Sequence, residues 1–512
     1  MEPVRHESAP VGEDEKLLHS MGYAQELSRR MSGFSNFAIS FSIICVLAGG
    51  ITAFPAGLSA GGGAAIGIGW PLGTLFAAIV AAAMAQIASA YPTAGGLYHW
   101  ASILGGKGLG WTTAWINLLG LIFVTAAVNF GVYDPFFKTL VAPLLGLNPE
   151  QLGWGQQTLF LAVAALSQAW LNHLGIKLTT RLTDLSGYLI FVVTLALVAS
   201  LLIYAPGPLD FSRLWTFHNY SGAAGGAWPR MDNTVMVFLA GLLLTVYTLT
   251  GYDASAHTSE ETREAARNVP KGILRSVLWS GVFGYLMICA FVLVLPDLGA
   301  GVKAGMGFFD LLLNALPPAL KAALGIGIFL VNYLCGLACL TSTSRMMYAF
   351  ARDGGLPASR WLRQVHPQHR TPGPAIWVSA VLAIAVTLYG DAFLVLSTGA
   401  AVFLYISYIL PSAAGLFAEG RSWTHKGPFN LGRASKPIAA LATLGGAVLV
   451  FVGMQPPNEK VLYLTIALLL MLALFWFALG VRKQFKGPPT GQRIQGHQAH
   501  IREIESALDE AG

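Results

Sequence analysis

Residues 245–273 read TVYTLTGYDASAHTSEETREAARNVPKGI. The segment begins as the second half of an apolar span and ends as a charged loop. Between the two, Thr248, Thr250, Gly251 and Asp253 occupy positions where a membrane helix would stay apolar. A lone carboxylate at mid-bilayer costs ~3 kcal/mol or more, so Asp253 has to face a cavity or a partner. Threonine and glycine beside it let a helix unwind, because hydroxyls take over the freed backbone groups. Read this way, the stretch is half of a substrate site in a transporter. The alternative is a glycine kink with Asp253 already in water at the membrane surface.

The surrounding chain is built for lipid. Of its 512 residues 54% are hydrophobic and only 11% charged, with a mean hydropathy of +0.59, where a soluble domain carries about a quarter charged residues. Apolar runs long enough to cross ~30 Å of hydrocarbon need about 20 residues each. Twelve are expected, at 34–57, 70–91, 111–140, 156–173, 183–205, 233–257, 273–296, 322–350, 374–390, 391–417, 437–455 and 460–481, with the tightest boundary at Gly390-Asp391. Around them lie a polar N-terminal segment (1–33) and a C-terminal tail (482–512). The segment from Met1 to Arg30, with Glu2, Arg5, Glu7, Glu13 and Asp14, lacks the short apolar core of a signal peptide. An even number of spans puts both ends on one side. Of the 31 Lys and Arg residues, only Lys138, Arg213, Arg230, Lys303, Lys321 and Lys460 fall on the other side, so the termini are expected in the cytoplasm. The same distribution accounts for the net charge of +6 without a nucleic-acid partner. Cys45, Cys289, Cys335 and Cys339 all sit in apolar runs, which fits neither a disulfide framework nor a metal site.

A second irregularity lies in the first span, where Ala48-Gly49-Gly50 is followed by Thr52 and Pro55. Adjacent glycines weaken a helix by about 1 kcal/mol each. A half-helix starting there would offer amide groups and a positive dipole end to a carboxylate. The competing reading is close helix packing on small residues. Spans 1 and 6 are both interrupted and each is followed by four more. That pattern points to two five-span halves, 34–205 and 233–417, arranged as an inverted repeat with the site at the midplane. Spans 11 and 12 (437–481) are uninterrupted, and read as a peripheral or oligomer-contact pair.

Three motifs give this outline a family resemblance. Tyr91-Pro-Thr-Ala-Gly-Gly-Leu-Tyr98, the stretch from Gly251 to Gly272, and Ser342 to Pro357 together resemble the amino acid–polyamine–organocation permeases. GYDASAHTSEE, with NHLGIKLTTRLTDLS at 172–186, is most similar to the amino acid/choline transporter branch, which includes GABA and choline permeases. The resemblance implies an all-α, LeuT-like fold of twelve transmembrane helices with a 5+5 inverted repeat, broken helices 1 and 6, and two peripheral helices. It implies that the amides of Ala48, Gly49, Gly50 and Ile51 bind the substrate carboxylate. Tyr247, Thr248, Thr250 and Gly251 match the sixth-span break, where a carbonyl accepts from the substrate ammonium and Tyr247 closes over it. Asp253 matches an acidic position linked to proton sensing. Some proton-coupled relatives place a lysine in the fifth span; here Ile190 lies near that position, so that mechanism is not expected. Relatives with a sodium site use eighth-span hydroxyls, here Thr343 and Ser344, with first-span carbonyls such as those of Ile44 and Leu47. The coupling ion is therefore proton, through Asp253 or His257, or sodium.

The remaining candidates each have two readings. Phe54 is an outer gate or a packing residue, and His257 a proton relay or a solvated helix end. Asn117 and Asn129 border the substrate or glue helices together. The run Glu260, Glu261, Arg263, Glu264 and Arg267 suits a solvated helix at the inner surface. Arg345 meets headgroups or an acidic partner in that loop. The expected function is secondary active transport of a small amino acid or amine, GABA foremost, across the plasma membrane (the inner membrane in a bacterium). A choline or organic-cation transporter and a non-transporting sensor are the rivals. No nucleophile–base or metal constellation suggests an enzyme, no cofactor is expected, and a homo-oligomer stays open.

Overall fold

The computed structural model describes residues 12–388 and 392–510. Residues 1–11, with Glu2, Arg5 and Glu7, and the Gly390-Asp391 boundary lie outside the described residues. A short helix α1 (Glu13–Ser20) precedes the first span, which is two helices, α2 (Gly33–Ile44) and α3 (Val46–Gly67). Then come α4 (Gly69–Ala90), α5 (Leu97–Gly105), α6 (Lys107–Gly131, continued by a π-helical stretch to Val141), α7 (Trp154–His173) and α8 (Ile176–Ile203). The sixth span is again split, into α9 (Thr234–Thr248) and the single turn α10 (Ala254–His257). After α11 (Ala265–Val294) two short helices, α12 (Leu298–Ala304) and α13 (Phe308–Leu313), lead into the long α14 (Pro318–Arg352). The chain continues through α15 (Ser359–Leu362), α16 (Gly373–Thr387), α17 (Ala392–Ala418), α18 (Ser435–Gly453), α19 (Glu459–Ala473), α20 (Val481–Gln484) and α21 (Gln492–Glu510).

Among the described residues, nine helices are long and apolar enough to cross a membrane. The protein is thus an all-helical, multi-span membrane protein. The other three segments read as spans are α7, which is 20 residues long, and the 15-residue α9 and α16.

The first break is not where the glycines are. It falls at Cys45, whose φ of 33° and ψ of 80° place a non-glycine residue in the left-handed region, at a cost of roughly 1–2 kcal/mol. The Cys45 amide still donates to the Phe41 carbonyl, after which Ala48 and Gly49 both donate to the Cys45 carbonyl and restart the helix. Gly49 and Gly50 are helical and serve close packing instead. A Cβ on Gly49 would lie 3.0 Å from the Thr248 methyl, and one on Gly50 2.6 Å from the end of Met287.

Side chains of α2 hold the segment after the sixth-span break. Ser40 donates to the Tyr252 carbonyl and accepts from the Ser255 amide, each at 2.9 Å, and Asn36 donates to the Ser255 carbonyl at 2.9 Å. Both described ends of the chain lie on one face, where His19 of α1 meets Glu505 of α21 at 2.8 Å. On this terminal face Glu260 and Glu261 of the charged run are buried rather than solvated, whereas Arg263, Glu264 and Arg267 are exposed. Glu261 forms a two-pronged pair with Arg345, 3.0 Å in each prong, and both side chains are fully buried. Glu260 pairs likewise with Arg352 at 2.8 and 3.0 Å and accepts from the Ala94 amide at 2.9 Å. Burial alone would raise the Glu260 carboxyl, but the Arg352 guanidinium outweighs it and holds the group below its ordinary range. Asp14 accepts from the amides of Glu264 and Ala265, and Arg29 donates to the carbonyls of Ser259 and Thr262.

Removing one partner of a buried pair strands the other charge. Arg345→Met is expected to lower the stability of the purified protein by about 3–5 kcal/mol, read as an earlier denaturation midpoint. An unchanged midpoint would show that Glu261 finds another partner.

Candidate functional site

The sixth-span break is built by its own side chains. Thr248 donates to the Leu244 carbonyl at 2.7 Å and Thr250 to the Tyr247 carbonyl at 2.8 Å, supplying donors where the helix ceases to. Gly251 has φ +98°, and a Cβ there would run into Ile43 of α2. Only glycine allows both the conformation and the approach. The Gly251 amide donates to the Tyr408 hydroxyl at 3.1 Å, and that hydroxyl donates to Asp253 Oδ1 at 2.8 Å.

Between the two breaks lies a cavity of about 220 Å³. Its wall includes Ala48, Gly49, Tyr247, Thr248 and Thr250 from the expected substrate site, and also Ile44, expected at a sodium site. The residues expected there that do not line it are Gly50, Ile51 and Gly251. Gly50 turns instead to Met287, and Gly251 to Ile43. The amides of Ala48 and Gly49 both donate to the Cys45 carbonyl, so the donors that a helix start leaves over are expected just after the break, at Val46 and Leu47. At the other break, α9 ends with its carbonyls leading. Sequence reasoning missed much of the remaining wall: Phe136, Trp228, Asn332, Ser397, Thr398 and Asn458. They come from five separate segments and carry no shared motif. None of the described lining residues bears a carboxylate, ammonium or guanidinium group.

Asp253 and His257 lie behind this wall, fully buried. Asp253 Oδ2 is 3.2 Å from His257 Nε2 and 3.3 Å from Asn117 Nδ2. His257 Nδ1 is 3.2 Å from the Ala94 carbonyl, within the Tyr91–Tyr98 motif. A carbonyl only accepts, so Nδ1 carries a hydrogen. The Nε2–Oδ2 contact then needs a second one, on the imidazole or on the carboxyl. The solvated reading of His257 is therefore overturned. Asn117 also donates to Ser407 at 3.1 Å, and Asn129 pairs with Gln168, so both asparagines join helices.

The expected sodium ligands are not brought together. Thr343 shares its hydroxyl with Thr125 and the carbonyls of Leu121 and Cys339, and Ser344 donates to the Thr341 carbonyl. The part of α14 facing the first break is Cys335, whose thiol is 3.5 Å from the Ile43 carbonyl. Thr343 is eight residues further along, about 12 Å at 1.5 Å per residue. Phe54 does not line the cavity. It stacks on Phe308 at 4.6 Å and meets Phe291 edge-on at 5.4 Å, a packing cluster.

Two interrupted helices around a cavity within a many-span helical bundle define a membrane permease. The chain belongs to the amino acid permease family, whose model matches residues 31–477. It is 33% identical over 503 residues to the amino-acid permease BAT1 homolog of Oryza sativa subsp. japonica, covering 92% of this chain and 95% of that one. Amino-acid permease BAT1 of Arabidopsis thaliana is 30% identical over 501 residues, with 92% and 95% covered. The GABA-specific permease of Saccharomyces cerevisiae is 26% identical over 462 residues, with 87% and 79% covered. As a member of this family the protein is a transporter, not an enzyme.

Filling the wall at Gly49 should stop transport, whereas Gly50 faces a flexible methionine end. Gly49→Leu is expected to abolish amino-acid uptake with expression intact, and Gly50→Ala to retain most of it. Equal uptake by both variants would remove Gly49 from the site.

Proposed function

We propose that the protein is a secondary active transporter that moves a small, net-neutral amino acid, GABA foremost, by alternating access. The carrying observation is the cavity of about 220 Å³ set between two helix breaks, whose described lining residues carry no charged side chain. The start of α3 presents amides and the end of α9 presents carbonyls, so a zwitterion meets opposite dipole ends. A cationic or anionic side chain would find no partner in that wall and would be left desolvated. The yeast relative's name supports GABA in particular.

In this reading 34–205 and 233–417 are the two inverted five-helix repeats of a twelve-span, LeuT-like fold. Helices α18 and α19, whose apolar stretches are only 33% and 22% buried, form a peripheral pair free for lipid or a second copy. The segments 1–33 and 482–512 lie in the cytoplasm, as the distribution of Lys and Arg favours, and the membrane is the plasma membrane. The coupling ion is a proton held by Asp253 and His257. The hydrogen-bond count at that pair supports it, and the engagement of Thr343 and Ser344 elsewhere weighs against sodium. A second reading, a choline or organic-cation carrier, draws on Phe136, Trp228 and Tyr247, three aromatic rings in one wall of the kind that holds quaternary ammonium.

Thermal stabilisation of the purified protein separates these readings, since a ligand at 100 times its Kd adds about 2.7 kcal/mol. GABA or alanine is expected to raise the melting temperature with or without sodium. A shift with choline alone would promote the second reading, and a shift requiring sodium would overturn proton coupling. Uptake in proteoliposomes should accelerate with an inward proton gradient in the native protein, and Asp253→Asn should lose that dependence. A variant with an unaltered pH profile would take Asp253 out of coupling.

A further inference from the structure

The loop between α8 and α9 supplies one wall of the cavity, through Ala227 and Trp228. We infer that Trp228 is a substrate-contacting lid residue that sets the upper size limit of the transported amino acid. This rests on the permease reading of the cavity above.

The loop is a self-braced unit. Within its second half Asn219 Nδ2 donates to the Met231 carbonyl at 2.8 Å, joining the ends of the segment 219–231, and the Gly222 amide donates to the Trp228 carbonyl at 2.9 Å. Short loops with joined ends hold their shape through their own side chains. Trp228 is only 6% exposed and lines the cavity together with its neighbour Ala227. The indole is aimed, not merely packed. Its Nε1 donates to the Ala56 carbonyl at 2.7 Å, and the Ala227 amide donates to Ser59 Oγ at 3.2 Å. Both acceptors belong to α3, the half-helix that begins at the first break.

The preceding residues lie along the same helix. The Ala64 amide donates to the Thr216 carbonyl at 3.1 Å, and Gly62, at φ +59°, kinks α3 beside His218. Side chains at Gly63 and Gly67 would collide with the carbonyls of Arg213 and Leu214. The glycine-rich end of α3 is thus the bed of the loop, and the loop is fixed to α3 over about three turns. Any tilt of α3 about the break at Cys45 carries the indole with it. An aromatic ring so placed closes the cavity above whatever lies between the breaks, and its bulk limits the side chain that fits below it.

The test is uptake by reconstituted full-length protein of glycine, alanine, GABA, leucine and phenylalanine, for the native protein, Trp228→Phe and Trp228→Ala. Pocket contacts of one methylene change selectivity about tenfold or more. The native protein is expected to favour the small members. Trp228→Phe should raise leucine relative to alanine, and Trp228→Ala should raise leucine and phenylalanine by at least about tenfold, mainly through KM. An unchanged size order in both variants, with kcat falling equally for every amino acid, overturns the lid assignment while leaving the permease reading intact. If Trp228→Ala does not fold, an unchanged order in Trp228→Phe overturns it alone. A native protein that neither takes up nor is thermally stabilised by any of the five would overturn the substrate reading, and the lid with it.

Discussion

In hydrocarbon every backbone amide and carbonyl needs a partner, and this protein interrupts two of its spanning helices deliberately. The rest of the architecture follows from meeting that requirement. Thr248 and Thr250 fold back onto their own turn, Tyr408 reaches from α17 to the Gly251 amide, and Ser40 and Asn36 bind the strand of chain beyond the break. Tyr408, Ser40 and Asn36 belong to helices that must therefore stay close. The breaks are tied into the bundle at their polar points, while the space between them is left for a ligand.

The same economy explains the terminal face. Glu260 and Glu261 follow directly on the broken span, and two arginines about two turns apart on α14 receive them. Paired and hydrogen-bonded, Glu260, Glu261 and Arg345 tolerate complete burial, and Arg352 is buried but for 9% of its side chain; any one alone would not tolerate it. The pairs join the segment that follows the sixth span to α14, with Ala94 and Asn172 drawn in as well.

The helical, many-span nature of the chain was legible from hydropathy, and so was the interruption after Thr248, because Thr, Gly and Asp in an apolar run have few other uses. The first break was less legible. Paired glycines read equally as a weak point and as a packing face, and only the neighbour decides. Here Thr248 stands against Gly49 and Met287 against Gly50, while the turn is taken by Cys45, which has no local signature. Glu260 and Glu261 looked as solvated as Arg263, Glu264 and Arg267 beside them, which are exposed, because the partners that bury the two glutamates lie some ninety residues on. The wall residues Trp228, Asn332, Thr398 and Asn458 were invisible for the same reason: each is ordinary in its own segment, and only tertiary folding brings them to one cavity.

The absence of charge among the described residues of that wall has an electrical consequence. A zwitterion inside it carries no net charge, so the membrane potential does no work on the movement of the loaded cavity. A potential of 100 mV is worth about 2.3 kcal/mol for each elementary charge that crosses. That energy reaches the substrate only if something else in the moving parts changes charge between the two orientations. With the proton coupling proposed above, that change would fall on the buried pair Asp253 and His257 behind the wall. Voltage would then enter the cycle through that pair, and the concentration gradient through the neutral walls around the ligand.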